Sequence, residues 1–148
     1  MKRLLLMSLI VSVSFSCNNI NVQKKNRESD KKEGEKVLNV YFENVLSNNM
    51  EKNLQLFSKG FFEKTPQDVF IKRHISMDEK LGKVIGRSLT KWETNIVKGT
   101  KPESEYYFVY DVKREKYNSK EFFYLIKEPT DSIKINLYKV ESEGLLTE

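Results

Sequence analysis

One cysteine in 148 residues excludes an intramolecular disulfide and any cysteine cluster able to hold a metal ion. One histidine, His74, leaves a catalytic reading without a second imidazole to work beside. There is no glycine-rich phosphate loop, no metal-spaced set of carboxylates and no nucleophile elbow. No cofactor and no metal are therefore expected. Leu4 to Phe15 is apolar but would cover only about 18 Å as a helix, short of the roughly 30 Å of a hydrocarbon core. A permanent spanning helix is not expected.

An excess of positive charge is present but misplaced for nucleic acid. The net charge is +5, yet Lys2, Arg3 and the stretch 18–33, with Lys24, Lys25, Arg27, Lys31 and Lys32 against Glu28, Asp30 and Glu33, carry most of it. Residues 34–148 are close to neutral, so they lack the concentrated field that displaces counterions from phosphates. Nucleic-acid binding is excluded on this ground.

The chain does hold enough apolar material for one domain: 39% hydrophobic residues, with nine Phe and seven Tyr. Met1-Lys2-Arg3, the apolar run, and small Ser14 and Ser16 come in the order of a secretion signal covering 1–16. Val13-Ser14-Phe15-Ser16-Cys17 resembles the lipobox of bacterial lipoproteins, with Ser14 where an aliphatic residue is usual. The resemblance implies cleavage between Ser16 and Cys17, acylation of Cys17, and anchoring of the protein to a bilayer. Ordinary cleavage at the same bond, leaving a free thiol, is the alternative. Asn18 stands where an inner-membrane lipoprotein often has Asp, and no acidic export cluster follows. By the same resemblance the outer membrane, on its periplasmic face, is the expected location.

Residues 17–33 hold few large apolar side chains, which predicts a disordered tether averaging about 20–24 Å end to end. The folded domain is then 34–148. Val37, Leu38, Tyr41, Phe42 and Val45 predict an amphipathic helix over 35–47, and Met50 to Phe57 a shorter one. Thr65-Pro66-Gln67-Asp68 reads as a helix start with Thr65 as its cap, and Phe70, His74, Met77 and Leu81 share a face as far as Gly82. Beyond Gly86 the period becomes two. Trp92, Thr94 and Ile96, then Tyr106, Phe108, Tyr110 and Val112, then Phe122, Tyr124 and Ile126, and finally Ile133, Ile135 and Leu137 mark four strands. The fold class is α+β, with N-terminal helices on a curved four-stranded antiparallel sheet.

The order of these elements, Val37 to Ser58, Leu81-Gly82-Lys83 and the strand block 88–140, is similar to that of small bacterial lipoproteins with a nuclear transport factor 2-like, cystatin-like cone fold. The resemblance implies a fold rather than an activity.

Among sites, His74 between Phe70 and Met77 is expected to be a half-buried packing residue. Tyr107 and Asp111 share a strand face and could form the acid and tyrosine of an isomerase or dehydratase of this fold, although solvated edge charge is the simpler account of Asp111. Tyr107, Val109, Phe123, Leu125 and Tyr138, with Val140, are assigned to a second apolar sheet face, a candidate binding face for a small apolar ligand, an envelope protein or a second copy. The expected function is a non-enzymatic, membrane-anchored envelope lipoprotein acting as a binding or self-association module.

Overall fold

The computed structural model of the protein describes residues 21–146. The order is β1 (Val22–Lys25), α1 (Glu28–Leu46), a 3₁₀ segment (Met50–Leu56), α2 (Lys59–Lys64), α3 (Gln67–Leu81), β2 (Val84–Lys98), β3 (Glu103–Arg114), β4 (Ser119–Lys127), β5 (Ile133–Glu141) and a short 3₁₀ turn (Glu143–Leu145). The strands form one antiparallel sheet in the order β1-β2-β3-β4-β5. The α+β class stands, but the sheet has five strands rather than four.

The fifth strand comes from the stretch expected to be a disordered tether. Val22–Lys25 pairs with Lys98 to Asn95, and α1 begins at Glu28 instead of Glu35. Composition misled because this segment is held by bonds that need few apolar side chains. Asn26 exchanges two hydrogen bonds with Thr94, one backbone (3.0 Å) and one to its side chain (2.9 Å). Arg27 grips Asp30 through two bonds of 2.6 and 2.7 Å, and Lys31 lies over the Trp92 ring. Gly34 lets α1 lie flat on the sheet: a Cβ there would stand 2.5 Å from Phe108 Cε2. The folded unit thus begins near Val22, not at Gly34. Cys17 and the leader lie outside the described residues.

α1 buries Leu38, Tyr41 and Phe42, as its spacing predicts. Ser58 caps α2, a helix the periodicity did not indicate, by accepting from the Phe61 amide at 3.0 Å. α3 spans the expected residues, but Pro66 occupies its cap position, and Thr65 closes α2 instead, its N–H donating to the Phe61 carbonyl at 3.0 Å. Phe70, His74, Met77 and Leu81 are its buried residues, while Ile75 is exposed.

The core fills the space between these helices and one face of the sheet. Phe108 pairs with Phe123 and Tyr106 with Leu125, so all four point toward the helices. A bulge in β5 sets Leu125 opposite Ile135 and Tyr124 opposite Leu137, leaving Asn136 as the extra residue. Ile135 and Tyr138 therefore both face inward, and Leu137 is turned out to solvent, half exposed. Asn136 accepts a hydrogen bond from Ser58 at 2.6 Å, tying the bulge to the start of α2.

Candidate functional site

The five residues assigned to one binding face do not share it. Phe123 and Leu125 are fully buried under the helices and Tyr138 packs against them, whereas Tyr107 and Val109 point to the opposite face. β4 is apolar in both phases, from Phe122 to Ile126, so alternation alone could not assign its sides; pairing with β3 does.

The outer face that remains is wetter than expected. The Lys91 ammonium lies 5.7 Å from the centre of the Tyr107 ring and the Lys139 ammonium 5.5 Å from that of Phe122, which sets two cations on the faces of outward aromatic rings. Asp111 is exposed and faces Lys120 across the strands at 3.8 Å. It is edge charge in a solvated cross-strand pair, and the hollow that Tyr107 lines with Glu93, Glu105 and Tyr124 does not include Asp111.

A more structured arrangement lies beneath α3. His74 is buried, its ring 4.3 Å from Phe70 and stacked on Tyr138 at 5.4 Å. Its Nδ1 is 3.1 Å from the Phe70 carbonyl, which can only accept, so Nδ1 carries the proton and Nε2 accepts from the Tyr41 hydroxyl at 3.0 Å. Burial lowers its pKa, against the opposing pull of the Phe70 carbonyl and of Glu121 and Asp78. With both nitrogens engaged, His74 is not a free base, and it is more deeply buried than its sequence position indicates.

Tyr138 donates to Glu121 Oε2 at 2.9 Å, and Glu121 Oε1 receives Arg114 at 2.8 Å. Both members of this ion pair have side chains 1% exposed. Arg114 also reaches Ser119 (3.1 Å), Asp78 (2.9 Å) and the Gly82 carbonyl (3.2 Å). Burial opposes its charge, but the field of Glu121 and the bonds to Glu121 and Asp78 lift its pKa above the ordinary value. Burial, reinforced by Glu121, also pushes both Tyr41 and Tyr138 well above the usual tyrosine range. These bonds join Tyr138, Glu121, Arg114, Ser119 and Asp78 into one network. It binds the end of α3 to the β3–β4 turn, as a fully satisfied network should.

Sequence reading missed Tyr41, Arg114 and Glu121 as polar partners. The usable signal was the alternation Ser119, Glu121, Phe123, Leu125, which sets a carboxylate in line with core residues.

Above this network, α2, α3 and β5 enclose an open groove of about 340 Å³. Phe61, Phe70, Met77, Val140 and Leu145 supply its apolar walls, and His74 and Tyr138 lie at its base. Its charged lining residues, apart from neutral His74, are Arg73 and Lys80, both basic and exposed. Such a recess suits a small apolar body with an acidic end. Among the described residues, no group of His, Cys, Asp and Glu is placed to hold a metal ion. No family model, curated protein or solved structure matches this chain.

Proposed function

We propose that the protein is a lipid-anchored envelope lipoprotein whose α+β domain is a non-enzymatic binding module of the nuclear transport factor 2-like, cystatin-like kind. The leader and Cys17 carry the anchor in this reading, and the helices packed on a single antiparallel sheet support the cone fold. The observation that carries the binding role is the groove beneath α3, apolar in its walls and basic at its rim. Its ligand is a small amphiphile with an acidic head, the head near Arg73 and Lys80 and the apolar body against Phe61, Met77 and Leu145. The groove supports this reading better than the outer sheet face supports self-association, since two lysine ammonium groups sit over aromatic rings of that face.

Two measurements test it. The intact mass of the membrane-extracted protein reports acylation at Cys17, and an unmodified thiol on soluble protein overturns the anchor. Decanoate, kept below its micellar concentration, is expected to raise the melting temperature more than decanol does, and the Arg73→Glu/Lys80→Glu variant should lose the difference. Equal and negligible shifts with both probes overturn the groove.

A further inference from the structure

With β1 zipped onto the sheet, little chain remains between Cys17 and the fold. Asn21 is already pinned, its Oδ1 accepting from the Thr100 amide at 3.2 Å and from the Thr100 hydroxyl at 3.4 Å. Gly99, at φ +149°, has no Cβ to collide with that Asn21 side chain. Val22 then pairs with Lys98 and the register continues through Lys25. Cys17 and Asn21 are four Cα steps apart, which spans at most about 14 Å however the residues between them are arranged.

We infer that the end of the sheet carrying the β2–β3 hairpin is a membrane-contact surface, held against the bilayer that carries the acylated Cys17. This inference rests on the proposed anchoring and specifies which surface of the domain meets the lipid. A tether of sixteen flexible residues would have let the domain stand off and tumble; four steps ending in a pinned strand do not. The bilayer-facing groups are then the hairpin tip, Lys98 to Pro102, and beside it the β4–β5 turn at Pro129 to Asp131, which lines the same hollow.

Charge does not direct this contact. Exposed Lys98 and Lys101 are offset by exposed Glu103 and Asp131, so the orientation is set by chain length and should persist in high salt. β3 spans 12 residues, which places the β3–β4 turn about 37 Å farther from the lipid if the sheet stands upright. The groove beneath α3 is lined by Val140 and Leu145, and Val140 pairs with Glu121 in the half of the sheet near that far turn. The proposed ligand site is thereby left facing away from the membrane.

Acylation blocks the sole cysteine, so a second cysteine becomes a unique labelling site. Full-length lipidated protein carrying Lys101→Cys or Lys116→Cys, each with a fluorophore, is reconstituted in phosphatidylethanolamine/phosphatidylglycerol vesicles holding a headgroup nitroxide quencher. Quenching is expected to be several-fold stronger at position 101 than at position 116, with or without added salt. A flexible insert of about ten Gly/Ser residues between Ile20 and Asn21 gives a chain averaging roughly 20 Å, and should collapse the difference. The Gln23→Pro/Lys24→Pro variant, which removes the β1 ladder, should do the same. Protein that is acylated and floats with the vesicles yet quenches equally at both positions overturns the inference alone. Protein that carries no acyl chain and fails to float overturns the anchoring reading beneath it.

Discussion

Removing the Glu121 side chain while leaving Arg114 in place should be among the most damaging single changes to this fold. Glu121 is 1% exposed. Its two oxygens serve Arg114 (2.8 Å), Ser119 (3.2 Å) and Tyr138 (2.9 Å). In Glu121→Ala the guanidinium, also 1% exposed, keeps Asp78, which is 36% exposed and solvent-screened, together with the Gly82 carbonyl and the Ser119 hydroxyl. Breaking a buried pair from one side costs about 3–5 kcal/mol, because the remaining charge keeps its desolvation penalty. The exposed Asp111–Lys120 pair, 3.8 Å apart with side chains 59% and 51% exposed, should contribute under about 1 kcal/mol. Urea unfolding of residues 18–148, followed by circular dichroism, reads both. The double variant Arg114→Met/Glu121→Leu supplies the decisive comparison: with no charge left to strand, it should recover most of the loss. If Glu121→Ala costs no more than Asp111→Ala, or if the double variant loses the sum of its two single changes, the buried pair is not what the geometry implies.

Two further perturbations follow from other parts of the core. Gly34→Ala should destabilise by about 1–3 kcal/mol despite the better helix propensity of alanine, because the new methyl meets the buried Phe108 ring at 2.5 Å; Gly60→Ala, whose Cβ would come no closer than 3.4 Å to Asn136, should be neutral or stabilising, and thermal melts of the pair show the contrast. His74 is neutral in the fold because burial lowers its pKa, so its contribution is complete above the unfolded value of about 6.5 and is lost as pH falls below it, with a slope of at most about 1.4 kcal/mol per pH unit. Denaturation of His74→Gln beside the unsubstituted protein between pH 7 and pH 5 should show a shallower loss in the variant; parallel curves would refute the assignment.

What could be read from the sequence depended on whether an element's apolar residues sit in one phase only. α1 and α3 each carry a single apolar stripe: of the five residues named for the first, Leu38, Tyr41 and Phe42 are buried and Val37 and Val45 partly so, and Phe70, His74, Met77 and Leu81 are all buried in the second. β3 is less clean, since Tyr107 and buried Val109 occupy its other phase, yet Tyr106, Phe108, Tyr110 and Val112 face the helices as their spacing indicates. β4 offers two apolar phases, so its inward side could come only from its neighbour: Phe123 lies opposite Phe108, and Glu121 enters the core with it. β5 defeats alternation differently. The bulge at Asn136 switches the phase between Ile135 and Tyr138, and its partner, Ser58, lies 78 residues away in sequence.

The N-terminal segment shows the same limit from the side of composition. A polar stretch was expected to remain loose because it cannot bury apolar area, yet β1 needs only a sheet edge, and the first turns of α1 need only Arg27, Asp30 and a glycine. That edge belongs to β2, whose other side is taken by β3, so what holds residues 22–25 lies about seventy residues away in sequence and does not show in their own composition. Whatever the chain carries upstream of Asn21 is drawn toward the hairpin tip only in the completed fold, so the length of the tether is decided by the sheet rather than by the tether's own sequence.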